Sequence, residues 1–151
     1  MQHKNHSGNA LRKGRVSLQN QIYLVTFVTE GRNRWFEDFH CGRLMVRSLK
    51  QTMHTKTLAF VVMPDHVHWL IQLLDETSLS KVLQAVKAAS AHRLNRHLER
   101  KGKFWQKGFH DHALRHEEAV IEAARYIIAN PLRAGLVGNV RMYSHWDAVW
   151  V

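Results

Sequence analysis

The sequence predicts an α+β fold of the ferredoxin-like, split βαβ type, in which an antiparallel sheet carries helices on one face and a further helix is added at the C-terminal end. Two observations support this fold class. Short runs of β-branched and aromatic residues alternate with longer segments in which apolar residues recur at helical spacing. These segments follow one another as strand, helix, strand, strand, helix, strand and helix, and the first six have the order of the split βαβ motif.

The first half of the chain predicts three strands and one helix. The run at 21–28 (QIYLVTFV) is rich in the β-branched and aromatic residues that strands favour. Between 41 and 54, apolar residues recur at helical spacing and predict a helix. A strand over 57–63 ends at a Pro-Asp pair, and another follows at once over 66–74, so we expect the two to form a tight antiparallel hairpin.

The second half of the chain predicts two helices separated by a strand. Ser78 or Ser80 caps a long helix that runs to about residue 100 and carries an apolar stripe. Residues 104–115 have the composition of a strand. The last helix, over 117–130, begins with two glutamates and ends before a proline.

With 151 residues, the chain has the length of one domain with a buried core. We predict three parts: a flexible basic arm over 1–20, the folded domain over 21–137 and an aromatic tail over 138–151. The arm is either a solvated tail or a segment that contacts DNA. The tail is expected to dock back onto the domain through its aromatic residues, Tyr143, Trp146 and Trp150.

Charge and cysteine content narrow the class of protein. There are 22 Lys and Arg against 12 Asp and Glu, and this formal net charge of +10 predicts a polyanionic partner, nucleic acid first and an acidic membrane surface second. Cys41 is the only cysteine, so the sequence has neither a disulfide framework nor a cysteine-based zinc site. No apolar run approaches the roughly 20 residues of a membrane span, and no signal peptide is evident, so we expect a cytoplasmic protein with no membrane partner.

Two histidines at alternate positions of the third predicted strand form a candidate metal-binding pair. Alternate strand residues face the same side, so the imidazoles of His66 and His68 should project together while Val67 faces the core. Imidazole is a common ligand of divalent metals. His110 and His112 repeat this spacing, so spacing alone does not identify a site. Only the first pair directly follows Met-Pro-Asp and continues into an apolar strand, and this context favours it.

Tyr126 and Asn130 lie four residues apart on the last predicted helix and therefore on one face of it. Each also has a purely structural explanation. Tyr126 could be a core aromatic residue whose hydroxyl reaches water, and Asn130 could simply end the helix before a proline. The two residues alone leave both explanations open.

The long helix and the loop after it carry many cations, and aromatic residues follow closely. A solvated basic face is the plain explanation, but a groove that follows a DNA backbone and stacks bases is favoured. The predicted DNA-binding residues are Lys87, Arg93, Arg96, Arg100, Lys103, Trp105 and Arg115. For Trp105, a core position is the alternative.

Three sequence blocks make the prediction more specific. They are Met63–Ile71 (MPDHVHWLI), Phe104–Arg115 (FWQKGFHDHALR) and Tyr126–Val137 (YIIANPLRAGLV), in that order. Together they closely resemble the REP-associated tyrosine transposases, a branch of the single-tyrosine HUH transposases that act on single-stranded DNA. The resemblance spans roughly residues 21–137 and leaves the aromatic tail unmatched.

The resemblance implies an enzyme that cleaves and rejoins DNA strands. It assigns His66, His68 and Asn130 to a divalent metal ion, Mg²⁺ or Mn²⁺. It assigns Tyr126, on the added C-terminal helix, to the nucleophile that forms a 5′-phosphotyrosine link. The implied partner is single-stranded or hairpin DNA of the palindromic REP type. Relatives include dimers that exchange the tyrosine helix and proteins that act as monomers, so monomer and homodimer both remain open.

Two other functions are compatible with the same residues. A domesticated relative would bind nucleic acid without cleaving it, since ferredoxin-like sheets commonly bind RNA. A metal-dependent phosphohydrolase would use the histidine pair without Tyr126 and release a free 5′-phosphate. A covalent protein–DNA adduct distinguishes the strand-transfer enzyme from both.

Overall fold

The computed structural model describes residues 20–149. The predicted basic arm, apart from Asn20, and Trp150 of the predicted tail lie outside these residues. The strands are β1 (Ile22–Val28), β2 (Thr55–Val62), β3 (His66–Leu73), β4 (His110–Leu114) and β5 (Trp146–Ala148). They form one antiparallel sheet in the order β4-β1-β3-β2-β5.

The helices cover both faces of the sheet. They are α1 (Phe39–Lys50), α2 (Leu79–His97), α3 (Glu117–Ile128) and the short α4 (Asn130–Arg133). Helices α1 and α2 pack on one face, and α3, the added helix, packs on the opposite face. The predicted α+β class and the split βαβ order are thereby confirmed. Every helix in the described part of the chain is too short or too polar to cross a membrane.

Strand β3 lies at the centre of the sheet and shows how the two faces differ. Val67, Trp69 and Ile71 are fully buried on the face covered by α1 and α2. Leu70 points to the opposite face and packs in the core beneath α3. Burying one such side chain contributes about 1.5–3 kcal/mol. A slip of one residue would exchange the two faces, so this alternation fixes the register of β3.

Side-chain caps fix the starts of the two helices on the first face. The carboxylate of Asp38 accepts a hydrogen bond from the backbone N–H of Cys41 at 3.0 Å, and α1 therefore begins slightly before the predicted start at 41. The hydroxyl of Ser78 accepts from the backbone N–H of Lys81 at 3.1 Å. Of the two serines predicted to cap α2, Ser78 is the cap.

The strand predicted over 104–115 is shorter than expected, because only β4 joins the sheet as a strand. Residues 104–109 form a loop, which the Lys87 side chain fastens to α2. Its Nζ donates to the carbonyl oxygens of Gln106 at 2.7 Å and Gly108 at 2.6 Å. Within this loop, β-pairing is limited to one isolated antiparallel bridge between Trp105 and Thr29.

The helix predicted over 117–130 ends earlier, at Ile128. A separate helix begins at Asn130 with Pro131 in its first turn. Proline is well tolerated there, because the N–H that it lacks has no partner inside the helix at that position. The proline thus starts a new helix as well as ending the previous one.

The residues after 137 return to the sheet, and Tyr143 and Trp146 dock as predicted. Strand β5 pairs with β2, and the Tyr143 hydroxyl donates to the carbonyl oxygen of Val62 at 2.5 Å. His145 is buried end-on against Gly42 of α1, where a Cβ atom would overlap its Nε2. A glycine is required in α1 for this close approach.

Candidate active site

The histidine pair of β3 lies on the face of the sheet that α3 covers. His66 and His68 point to this face while Val67, between them, is 0 % exposed on the other. The two imidazole centroids are 4.8 Å apart, with the ring planes at 84°. The prediction that both rings project to one side of the strand agrees with this geometry.

Each imidazole is held through its Nδ1 by a neighbouring side chain. The Nδ1 of His66 lies 2.7 Å from Oδ1 of Asp65, and the Nδ1 of His68 lies 2.8 Å from Oγ1 of Thr26. Contacts of this kind fix the tautomer and the orientation of metal-binding histidines. They leave the Nε2 atoms as the nitrogens that can bind a ligand.

Electrostatics favour a neutral imidazole at the centre of this site. The pKa of His68 is lowered from 6.5 to about 3, mainly by burial and in smaller part by the nearby His66 and the positive charge of Arg133. Burial would raise the pKa of Asp65, but hydrogen bonds from His66 and Arg32 outweigh it, and the pKa of this carboxyl is lowered. A neutral imidazole beside an ionised carboxylate is the state that a divalent cation requires.

Tyr126 projects from α3 beside the histidine pair and remains open to solvent. Its side chain is 55 % exposed. Its ring centroid lies 6.5 Å from that of His68, and the two rings meet nearly edge to face. The alternative of a buried core aromatic is therefore wrong. One chain brings the tyrosine and the histidines together without a second copy.

Asn130 is half-buried and is the first residue of α4. It follows Tyr126 by four residues, but the helix is interrupted at Ala129 between them. Its backbone carbonyl accepts a hydrogen bond from Ala134 at 2.9 Å, as expected of a residue that opens a helix. Both explanations of Asn130 are thus compatible with the fold: it starts a new helix, and it lies one turn beyond the tyrosine.

The predicted DNA-binding cations of α2 lie across the sheet from the histidine pair, since α2 packs on the opposite face. Arg93 donates hydrogen bonds to Oγ of Ser48 at 3.1 Å and to Oε1 of Gln51 at 2.9 Å, and so links α2 to α1. Arg96 is exposed, as a phosphate-binding residue must be. Helical spacing did not indicate which face of the sheet these residues would occupy.

The cations after α2 also have partners within the protein. The guanidinium of Arg100 lies 5.2 Å from the ring centroid of Trp35, and Lys103 forms an ion pair with Glu30 at 3.0 Å. Arg115 is exposed directly after β4. A cavity of about 420 Å³ beside α2 is lined by several basic residues, Lys87, Lys103 and Lys107.

Trp105 belongs to the core, as the alternative explanation predicted. It is 4 % exposed, its indole N–H donates to Oγ of Ser90 at 3.0 Å, and its ring meets Phe27 edge-on at 4.7 Å. Phe104 and Phe109 are buried as well. The prediction that DNA bases stack on these rings is wrong, because the rings are buried between α2 and the sheet.

A second group of metal-binding residue types lies at the other side of the molecule. Asp38, Cys41 and His97 bring one ligand atom each to within 4.8 Å of one another, where α1 starts and α2 ends. Helix capping explains the Asp38 carboxylate. Burial raises the pKa of the Cys41 thiol to about 11, which keeps it protonated at neutral pH. This group is distinct from the histidine pair.

Three side chains at the site were not predicted from the sequence. Thr26 contacts His68 only because β1 pairs with β3. Asp65 adjoins His66 in the sequence, but the Pro-Asp pair indicated only a turn and not a hydrogen bond to the imidazole. The guanidinium carbon of Arg133 lies 3.9 Å from the ring centroid of Tyr126. Arg133 lies inside the third sequence block, and that was the one signal that could have identified it.

Comparisons with known proteins identify the family of this chain. A family model described as "Transposase IS200 like" matches residues 17–130. A candidate REP-associated tyrosine transposase from Haemophilus influenzae is 25% identical over 139 residues, which cover 82% of this chain and 77% of that protein.

Two solved structures have similar folds. A REP-associated tyrosine transposase bound to a REP hairpin superposes with a TM-score of 0.72 at 21% identity, covering 87% of this chain and 79% of the other. A candidate transposase from Deinococcus radiodurans R1 superposes with a TM-score of 0.54 at 24% identity, covering 76% and 94%. At these identities the structures support the fold.

Proposed function

Because the chain belongs to the IS200-like transposase family, a family of DNA-processing enzymes, we propose that it cleaves and rejoins single-stranded DNA with Tyr126 as the nucleophile. The observation that carries this proposal is the exposed Tyr126 ring 6.5 Å from His68 within one chain. The proposed target is DNA next to a palindromic hairpin of the REP type. The names of the Haemophilus influenzae relative and of the hairpin-bound structure support this target.

In the proposed mechanism, His66, His68 and Asn130 hold a divalent cation, Mg²⁺ or Mn²⁺. The chemistry of the donors fits, because both Nδ1 atoms are occupied by neighbours and both Nε2 atoms remain. The amide oxygen of Asn130 would add the oxygen ligand that these ions prefer. When bound, the cation would polarise the scissile phosphate and orient it for in-line attack.

The proposed reaction exchanges one phosphoester for another. The Tyr126 oxygen bonds to phosphorus and the phenol loses its proton. The bond from phosphorus to the 3′-oxygen breaks, and that oxygen gains a proton and leaves as the 3′-hydroxyl. A phenol has an unperturbed pKa near 10, so it needs a positively charged environment to react at neutral pH. Because the phosphotyrosine keeps the ester energy, attack by a 3′-hydroxyl rejoins the strand without a nucleotide cofactor.

The proposed binding surface uses the net charge of +10 to hold phosphates. Its candidate residues are the cations Lys87, Arg93, Arg96, Arg100, Lys103 and Arg115. Those of α2 lie on the opposite face from Tyr126, so a DNA that contacts both must pass around an edge of the sheet. Binding should weaken steeply with salt.

Adduct formation tests the proposal. Hairpin oligonucleotides with single-stranded flanks are incubated with the protein and Mn²⁺, and covalent protein–DNA species are resolved under denaturing conditions. We expect an adduct with the wild type and none with Tyr126→Phe. The matched control is Tyr143→Phe, since this tyrosine docks the tail.

Four results would contradict all or part of the proposal. An adduct in Tyr126→Phe would exclude the assigned nucleophile, and cleavage without any adduct would favour a phosphohydrolase. Binding without cleavage in the wild type would favour a non-catalytic nucleic-acid-binding domain. Undiminished adduct formation in excess chelator would exclude the metal ion.

A further inference from the structure

Resting on the proposed function, the geometry points to Arg133 as a further catalytic residue, whose guanidinium binds the scissile phosphate beside Tyr126. The guanidinium carbon lies 3.9 Å from the centroid of the tyrosine ring. The Tyr126 ring itself lies 6.5 Å from that of His68. Arg133 is thus close to the nucleophile, which lies beside the histidine pair.

The contact with the ring leaves N–H donors of the guanidinium available to an anion. The guanidinium carbon lies over the ring, and a guanidinium has five N–H donors in a planar fork, more than a contact with one ring face engages. Two of these donors match two oxygens of one phosphate. Arg133 is exposed, so a DNA strand that reaches the Tyr126 hydroxyl can also reach this edge.

The helix break after Ile128 accompanies the placement of the Arg133 side chain over the Tyr126 ring. In one continuous helix, a residue seven positions after Tyr126 would lie about 10 Å further along the axis. Here α3 ends and α4 begins at Asn130, and the Arg133 side chain lies over the tyrosine ring. The break therefore coincides with a contact that joins the two helices at the site.

A second cation beside the proposed metal ion would stabilise the charge that develops at this site. Apart from the divalent ion proposed at His66, His68 and Asn130, no group proposed to touch the reacting phosphate carries a fixed positive charge, whereas the phosphate gains negative charge on its outer oxygens as the tyrosine attacks. Arg32, another arginine near the pair, already forms an ion pair with Asp65 at 3.2 Å. Arg133 supplies a fixed charge next to the nucleophile.

A charge-neutral substrate separates phosphate binding from a structural role. Single-turnover adduct formation is measured at saturating protein with hairpin oligonucleotides that carry either a phosphodiester or a methylphosphonate at the cleavage position. We expect Arg133→Ala to slow the reaction of the phosphodiester about 100-fold, which is typical of losing one donor to a developing negative charge. With the methylphosphonate, which lacks that charge, the difference from wild type should shrink to less than about tenfold.

Controls and variants complete the test. Arg125→Ala removes an equal charge from the exposed residue before Tyr126 and should stay within about threefold of wild type on both substrates. Arg133→Lys keeps the charge and should regain part of the lost rate. Hairpin affinity and thermal unfolding are measured for every variant, and Arg133→Gln replaces the alanine variant if that variant does not fold.

Two outcomes overturn the role of Arg133 alone. One is a rate of adduct formation in Arg133→Ala that stays within about threefold of the wild-type rate. The other is an equal loss on both substrates, which would show that Arg133 only positions the ring. Failure of the wild type to form an adduct, or an adduct that survives Tyr126→Phe, instead contradicts the proposed function itself.

Discussion

The histidine pair of β3 and the histidine pair of β4 have the same spacing and face the same side of one sheet. Thr26 of β1 pairs with His68 on one side and with His110 on the other, so the three side chains form a row across three strands. At the usual strand separation, His68 and His110 are about 10 Å apart at their Cα atoms. One pair lies on the central strand and the other on an edge strand.

The surroundings of the two pairs differ. On β3, the side chains of Asp65 and Thr26 hold the two Nδ1 atoms, and the ring of Tyr126 approaches from α3. On β4, His110 is exposed at the edge of the sheet. The same spacing thus gives two imidazoles held by hydrogen bonds on β3 and an exposed histidine, His110, on β4. The strands and helix around a pair, more than its spacing, determine how its imidazoles are oriented.

Alanine substitutions in the two pairs should give the largest difference. We expect His68→Ala to lower the rate of adduct formation by more than about 100-fold. Loss of a residue that only orients a metal ligand lowers activity by up to about 100-fold, and loss of the ligand itself should cost more. His110→Ala should stay within about threefold. The measurement is single-turnover cleavage of a hairpin oligonucleotide in Mn²⁺, with hairpin affinity as the check on folding. Equal losses in both variants would remove the distinction between the pairs.

Removing the side chain that orients His68 should have a smaller effect. Thr26→Val keeps the shape of the side chain but loses the oxygen 2.8 Å from the imidazole Nδ1. Loss of such a partner typically lowers metal affinity or activity about 10–100-fold. The rate should be measured as a function of Mn²⁺ concentration, with Thr55→Val of β2 as the control. An unchanged Mn²⁺ dependence in Thr26→Val would show that the hydroxyl does not orient the ring.

The pH dependence of stability should give the smallest effect. The pKa of His68 is about 3 in the folded protein and 6.5 when unperturbed, so the unfolded chain binds more protons between these values. Stability should therefore fall as pH falls from about 6.5 towards 3, by at most about 1.4 kcal/mol per pH unit for one proton.

Urea unfolding in the presence of chelator measures this dependence. The pKa of His145 is also lowered, mainly by burial, and those of the Asp38 and Asp65 carboxyls are lowered by hydrogen bonds. The wild-type slope contains all of these groups, so His68→Gln should flatten it only in part. His110→Gln is the control. A slope in His68→Gln equal to that of the wild type would show that the folded protein accepts a proton on His68 without cost.

The sequence predicted the features that depend on local patterns. Strand alternation correctly indicated that His66 and His68 share a face and that Val67 is buried, because side-chain direction in a strand depends only on position. Element order indicated the split βαβ fold in the same way. The third sequence block contained both Tyr126 and Arg133, and it gave no indication that one would stack on the other.

Features that depend on tertiary packing could not be predicted in this way. Helical spacing shows that Arg93 and Arg96 are near each other, but not that α2 covers the face opposite the histidines. Composition likewise does not show whether Trp105 stacks on DNA or on Phe27, since both roles favour an aromatic ring. The contact of Thr26 with His68 depends on the pairing of residues 42 positions apart.

The three residues of β5 have a consequence for how the protein behaves in solution. They pair with Ala59, Phe60 and Val61, in a strand whose side chains are buried on both faces. If β5 were absent, β2 would present unpaired backbone groups beside apolar side chains, which is the kind of edge to which another chain can add. A chain shortened after residue 137 would keep His66, His68, Tyr126, Asn130 and Arg133, yet we expect it to aggregate. We therefore expect the C-terminal tail to protect the protein from self-association through the β2 edge of its sheet.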